Sequence, residues 1–236
     1  MSLKRGMGLR IKKIIISILF PLSISPQSYV DIENGHECVD LGLSVKWATC
    51  NVGAKKPHQR GIYYAWGETK EKYYYFTWKS YKFWQDGNNA DDVKFTKYNT
   101  DSLRGRVDNY KYLKPEDDVA HVDWGGAWRI PSFTEIQELI ENCTWEWTTL
   151  KRVKGFKVSS KISGYTDRFI FLPAGGFRTG NKLYGEGYCG CYWTCNLDLR
   201  GCYGAYSLIF PLSVASSYQG DRSYGQSVRP VWDPKM

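Results

Sequence analysis

The feature that most constrains the fold is a central pair of helical segments with short apolar runs on both sides. Before the pair, VDLGLSVKWATCNVG and GIYYAWGE alternate apolar residues with glycine, which is typical of strands joined by turns. After it, the runs GFKVSSKI, RFIFLPAGG, GYCGCYWTC, AYSLIFPL and QSVRPVW are aromatic or β-branched and are separated by turn residues. Strands, then helices, then strands without strict alternation predict an α+β fold.

The two helices have different start signals. Pro115 suits the first turn of a helix, and the acidic residues that follow it favour the positive end of the helix dipole. Ser132 and Glu135 have the spacing of a capping box, and the second helix should end near Asn142. The predicted apolar faces are Val119, Ala120 and Val122 in the first helix, and Phe133, Ile136, Leu139 and Ile140 in the second.

In two segments before the helices, the apolar residues show neither the helix nor the strand periodicity. The aromatic stretch from Tyr73 to Trp84 is compatible with a strand pair or with a loop packed onto the core. Residues 85–109 are polar and rich in turn formers, which predicts a loop.

The amino-terminal segment is typical of an export signal. Five basic residues precede a short apolar run, Ile14 to Leu22, that is too short to span a bilayer as a helix. We expect a signal peptide at residues 1–28 and a single domain at residues 29–236. Ser23 and Ser25 have the small-x-small pattern of a cleavage site, but Pro26 disfavours it, and cleavage after Ser28 is the other option. A membrane anchor or a buried strand is the alternative. We expect the mature protein to be periplasmic, secreted or on the cell surface, with no membrane span after signal removal.

The net charge does not indicate nucleic-acid binding. The chain carries +8, but Lys4, Arg5, Arg10, Lys12 and Lys13 lie in the first thirteen residues, and subtracting those five leaves +3 for the rest. No dense basic run remains, so nucleic acid is not an expected partner.

The aromatic content points to a binding surface. Eighteen tyrosines and ten tryptophans exceed the need of one core, so some are expected at the surface, where binding proteins favour them.

Several motifs together resemble a known family. WATCNVGA, YYAWGE, WGGAWRIPSFTEIQEL, FLPAGGFR, GYCGCYWT and GQSVRPVW follow one another as in the Fibrobacter succinogenes major paralogous domain, a group of exported Bacteroidetes and Fibrobacter proteins. The resemblance runs from about Cys38 to Trp232 and implies a C-type-lectin-like fold, with two helices packed on short twisted antiparallel sheets. The middle segment also resembles formylglycine-generating-enzyme-like domains, which implies the same architecture.

The predicted export would place the seven cysteines of the chain in an oxidising compartment. They are Cys38, Cys50, Cys143, Cys189, Cys191, Cys195 and Cys202, and an odd number cannot all pair within one chain. Because Cys50 and Cys143 lie in segments that match the family, a disulfide between them is a hypothesis.

Catalytic and metal-binding patterns are weak. The tripeptides that hold calcium in C-type lectins do not occur, and Asp117, Asp118 and Asp123 fit helix ends and turns better than a metal site. The spacing of the cysteine cluster disfavours zinc, and no hydrolase motif is present. A copper oxidase using Cys191 and Cys195, as in formylglycine generation, is the enzymatic alternative; otherwise we expect no catalysis, cofactor or metal.

The carboxy-terminal third carries the predicted binding site. Residues 187–218 contain no Lys, Glu, Gln or Met, and every type there except Trp193 has a codon ending in a pyrimidine. C-type-lectin-like proteins diversified by mutagenic retroelements show this bias. Tyrosine with Ser, Gly and Asn is also the composition of antibody-like binding surfaces.

We therefore expect a non-catalytic adhesion protein that recognises a protein or glycan through this region. The expected ligand-binding residues are Tyr188, Tyr192, Asn196, Asp198, Arg200, Tyr203, Tyr206, Tyr218, Arg222 and Tyr224. We expect Trp128, Pro131 and Trp193 to be framework, and Arg229 to fix the last strand by pairing with an acid. An architectural protein whose aromatic surface packs on a neighbouring subunit is a further alternative.

Overall fold

The computed structural model describes residues 29–72, 74–211 and 215–235. The predicted signal peptide, residues 1–28, lies outside these residues. The described chain is mixed and strand-rich, with short strands whose pairings are all antiparallel, in agreement with the α+β prediction. The strands are β1 (Val30–Glu33), β2 (His36–Val39), β3 (Lys46–Ala48), β4 (Trp84–Asp86), β5 (Lys94–Phe95), β6 (Trp128–Arg129), β7 (Cys143–Leu150), β8 (Val153–Ser160), β9 (Phe169–Pro173), β10 (Phe177–Thr179), β11 (Lys182–Tyr184), β12 (Gly190–Leu197), β13 (Gly204–Phe210), β14 (Ser216–Asp221) and β15 (Val231–Trp232).

The helices are α1 (Val119–Trp124) and α2 (Phe133–Asn142). Helix α1 starts later than predicted, because Pro115 opens a separate 3₁₀ turn and the Asp118 carboxylate caps the helix. Its Val122 is exposed rather than on an apolar face. Helix α2 confirms the predicted capping box and the predicted end at Asn142.

The sheets bring distant parts of the chain together. The first has the strand order β1-β2-β3-β15-β6, so the last strand lies between strands from the first and middle thirds of the sequence. The others are β7-β8-β9, β12-β13-β14 and the two-stranded pairs β10-β11 and β4-β5.

Strand β12 separates two hydrophobic cores. Trp193 packs in the first core, with Trp66, Phe76 and other aromatic residues. The adjacent Tyr192 packs in the second, with Leu139 of α2 and strands β8, β9 and β13. Because neighbouring residues of a strand point to opposite faces, β12 is buried on both sides. Trp128, Pro131 and Trp193 are buried, as expected of framework residues.

The aromatic stretch before β4 is a loop packed onto the first core, not a strand pair. Phe76, Trp78, Tyr81 and Phe83 are all buried there. A 3₁₀ turn at Trp78–Ser80 and the short pair β4-β5 are the regular structure of this region.

The prediction that Arg229 pairs with an acid was wrong. The buried guanidinium donates to the side-chain oxygen of Asn51 and to the carbonyls of Ala48, Thr49 and Phe171, at 2.8–2.9 Å. These oxygens occupy the donors that an acid would have used, so Arg229 joins β15 to the rest of the fold through neutral partners.

Candidate functional site

Three aromatic residues pack together near the carboxyl terminus, and the exposed Tyr218 of β14 lies close enough for its hydroxyl to affect the pKa of Tyr224. The ring of Phe177 stacks on Tyr184 at 5.8 Å and lies 5.6 Å from the ring of Tyr224. Burial and the Asp221 carboxylate raise the pKa of Tyr224, and the nearby Tyr218 hydroxyl adds to this rise. Tyr184 and Tyr218 are 43% and 59% exposed. We call Phe177, Tyr184, Tyr218 and Tyr224 the tyrosine surface.

Backbone pairing holds this surface in place. Strand β10 pairs with β11 across the two-residue turn Gly180-Asn181, a short connection of the kind that hairpins favour. The backbones of Arg178 and Gly225 bond to each other on the other side, which fixes Tyr224 beside the hairpin. The surface is therefore mounted on paired backbone rather than on a free loop.

Two more exposed tyrosines lie next to the hairpin. Tyr74 and Tyr75 precede Phe76, whose backbone pairs with that of Gly180. The Tyr75 N–H donates to the Asn181 side chain at 3.1 Å. Sequence reasoning missed this neighbourhood, although aromatic residues flanking a short polar turn, as in FRTGNKLYG, were a usable signal.

The structure divides the predicted ligand-binding residues between separate places. Tyr218 is paired with Ser207, whereas Tyr206 is paired with Gln219 on the same two strands. Paired residues share a face and neighbours alternate, so Tyr206 and Tyr218 point to opposite sides of the sheet. The predicted residues do not form one continuous face.

A second group surrounds the turn after β12. Tyr206 packs on Phe133 at the start of α2, with a ring separation of 4.6 Å. The exposed Arg200 side chain bonds to the buried Asp198 carboxylate and lies 5.9 Å from the Tyr206 ring. Tyr203 is half-buried under the Arg104 guanidinium. The exposed part of this group is small and charged.

Besides Asp198, two of the predicted ligand-binding residues are buried, and the assignment of these two, Tyr192 and Arg222, was wrong. Tyr192 is 1% exposed, and its hydroxyl donates to the Pro173 carbonyl at 2.6 Å. Arg222 is fully buried, with its guanidinium on the carbonyls of Tyr98 and Cys202. Neither can contact a ligand without unfolding.

The remaining two predicted residues have local roles. The Asn196 side chain accepts the Phe133 N–H at 2.8 Å, which satisfies a free donor at the start of α2. Tyr188 is 62% exposed but lies beside the Lys154 ammonium, 5.5 Å from its ring centroid.

All seven cysteines are free thiols, so the predicted Cys50–Cys143 disulfide is not formed. Cys143 starts β7 and is buried in the second core, whereas Cys50 lies in the loop after β3. Cys191 and Cys195 occupy one strand, where four residues span roughly 13 Å, beyond the reach of a thiol pair. They do not converge as an oxidase pair would.

One thiol pair does meet. The Cys191 thiol lowers the pKa of Cys189 to about 7, against the raising effect of burial. The same contact with Cys189, together with burial, raises the pKa of Cys191.

The acidic residues near α1 have structural partners. The Asp118 carboxylate accepts from the N–H groups of Ala120, His121 and Ile130, and burial raises its pKa to about 6. Asp117 is paired with Lys82 and Lys97. The prediction that acids here serve the helix end is confirmed for Asp118.

These features define a strand-rich α+β protein with an exposed tyrosine surface. The chain matches no protein-family model, no curated protein and no solved structure. In the described residues, neither helix is long and apolar enough to cross a membrane.

Proposed function

We propose that the chain is an exported, non-catalytic binding protein with a C-type-lectin-like domain, which recognises a protein or glycan ligand through the tyrosine surface. Two helices beside short antiparallel sheets agree with the arrangement that the family resemblance implies. The proposal rests on one observation. Tyr184 and Tyr218 are exposed beside the half-buried rings of Phe177 and Tyr224 on a backbone-paired scaffold.

The physical basis is the low cost of ordering tyrosine. Its side chain has two rotatable bonds, a large apolar ring and one polar group, so it contributes contact area with little loss of entropy. Rings that are already packed on one another lose even less on binding. The exposed hydroxyls of Tyr184 and Tyr218 can then select a ligand by hydrogen bonding.

The test is binding of the purified protein to glycan and protein arrays, followed by titration of the ligands found. The variant Tyr184→Ala with Tyr218→Ala should bind at least about tenfold more weakly, as expected for aromatic residues at the centre of an interface. Tyr112→Ala is the matched control. Tyr112 is also exposed, but its backbone pairs with that of Asn196. Asn196 lies six residues along β12 from Gly190, the end of the strand beside the β10-β11 hairpin, and six strand residues span about 20 Å.

Unchanged affinity in the double variant contradicts the proposal. A stable oligomer in light scattering that dissociates in the same variant favours the architectural alternative instead.

Retroelement diversification of residues 187–218 is a separate part of the proposal. It is supported by the composition of that segment. A near-copy of its codons beside a reverse transcriptase in the neighbouring DNA is the expected finding, and an intact locus without one contradicts it.

A further inference from the structure

A cleft of about 610 Å³, whose lining contains no residue of the tyrosine surface, lies between the loop at residues 53–61, the turn joining β7 to β8, and the end of β9. Its charged lining residues are four cations, Lys55, Arg60, Arg152 and Lys154, and one carboxylate, Glu186, which gives +3 with His58 neutral. The volume is in the range of small-molecule sites.

Most of this charge is not neutralised within the described residues. Arg60 is ion-paired with Glu186. Lys55, Arg152 and Lys154 are exposed and have no ion pair there. Like charges that line one concave surface repel each other and create a positive potential that a bound anion would offset.

The turn at the rim of the cleft has a strained backbone, and neither of its two basic residues is of a type that favours this conformation. Leu150 pairs with Val153, and the two residues between them, Lys151 and Arg152, have φ of 50° and 69°. Such turns favour Asn-Gly, because positive φ costs energy for a residue with a long side chain. A strained backbone that places cations beside a cleft points to a use for those cations.

The floor of the cleft is fixed by two buried hydroxyls. Tyr63 donates to the Gly175 carbonyl, and Tyr192 donates to the Pro173 carbonyl at 2.6 Å. Gln59 lines the cleft, and its side-chain oxygen accepts from the N–H groups of Lys55 and Lys56, so its NH₂ group remains available as a donor. The site thus combines a rigid base, cations and a polar donor.

We propose that this cleft binds an acidic saccharide of about two sugar units, carboxylated or sulfated, with its anionic groups against Arg152 and Lys154. The cations match carboxylate or sulfate, and Gln59 and His58 match sugar hydroxyls. The proposal does not depend on the tyrosine surface, so either can fail alone.

The test is calorimetric titration of the full chain with digalacturonate, with its methyl ester, and with a sulfated disaccharide that has no carboxylate, such as neocarrabiose sulfate. At least one acidic sugar should bind, and its affinity should fall several-fold when salt rises from 0.05 to 0.2 M. The ester keeps the sugar rings but not the charge, so it should bind at least tenfold more weakly than the acid. The two acidic probes distinguish carboxylate from sulfate as the recognised group.

The variant Arg152→Gln with Lys154→Gln should lower the affinity at least tenfold. The control, Lys79→Gln with Lys94→Gln, removes the same charge from exposed lysines that do not line the cleft, and should bind like the unmodified chain.

A second variant separates binding from folding. Lys151→Asn with Arg152→Gly relieves the turn, so it should raise Tm by about 2–4 °C while weakening saccharide binding. The proposal is overturned if neither acidic sugar binds, if the ester binds as well as the acid, if this variant binds normally, or if penta-glutamate binds as tightly as the sugars.

Discussion

At the scale of single residues, Arg222 shows how a buried charge is accommodated without an acid. Its guanidinium donates to the carbonyls of Tyr98 at 2.7 Å and Cys202 at 2.9 Å, and its central carbon lies 3.8 Å from the Phe95 ring centroid. Carbonyl dipoles and the negative face of an aromatic ring both stabilise a cation. The planar fork of arginine meets all three partners at once.

Lysine at this position should not substitute for arginine. We expect Arg222→Lys to lower the free energy of unfolding by about 2–4 kcal/mol, because a compact ammonium cannot reach the carbonyls and cover the ring together. Urea denaturation measures the change. Arg200→Lys, at an exposed site, should stay within about 0.5 kcal/mol of the unmodified chain. Equal midpoints for both variants would show that Arg222 contributes only volume.

At the scale of elements, one ion-paired arginine joins α2 to the end of the chain. Arg129 of β6 bonds to Glu135, the capping residue of α2, and to Asp233 just after β15, at 2.5 Å and 2.9 Å. Burial acts to raise the pKa of both carboxyls, but the Arg129 guanidinium and backbone N–H groups outweigh it, so both pKa values lie below their usual range.

Acid should therefore weaken this connection. A carboxyl with a lowered pKa contributes stability at neutral pH, and that contribution is lost as pH falls below about 4 and the folded protein takes up the proton. We expect the urea midpoint to fall between about pH 5 and pH 3. Glu135→Gln should be less stable at pH 7 and should show a smaller fall.

Glu146→Gln is the control, since Glu146 is exposed and has no ion pair in the described residues. A Glu135→Gln variant with the unmodified pH dependence would contradict this role.

Local signals in the sequence determine how well each element could be predicted. Helix α2 was predictable because Ser132 and Glu135 form a local cap and the apolar period is clear. Helix α1 is shorter than its signals implied, because Asp118 caps it three residues after Pro115. Strand β14 was missed since its sequence, SSYQGD, lacks β-branched residues, and its neighbour β13 sets its conformation.

At the scale of the whole molecule, the sequence could not show that β12 has a core on each side. Tyr192 and Trp193 are both 1% exposed, although composition alone favoured Tyr192 for a binding surface. Burial of a tyrosine depends on packing partners such as Phe210, which come from elsewhere in the chain. Tyr218 and Tyr224 kept at least partial exposure because they lie at the edge strand β14 and in the turn after it.

The shared strand predicts cooperative unfolding. Leu139→Ala in the second core and Val228→Ala in the first should each lower the stability of the entire fold, the former by about 2–5 kcal/mol. Tryptophan fluorescence and far-ultraviolet circular dichroism should give coincident transitions in both variants. Val122→Ala, at an exposed site, should have little effect. Separate transitions would show that the two cores unfold independently.

Burial of β12 on both faces also restricts where related proteins can diverge. Strand residues such as Tyr192, Trp193 and Thr194 tolerate few replacements, because each change alters the filling of one core or the other. Variation at Tyr188, at Leu199 and Arg200 in the turn, and at Tyr218 on the outer strand leaves the filling of both cores unchanged, so it alters surface contacts rather than the fold. Descendants of this gene, including any variants produced by the proposed diversification of residues 187–218, should therefore differ mainly at the ends of the strand and keep its middle nearly unchanged.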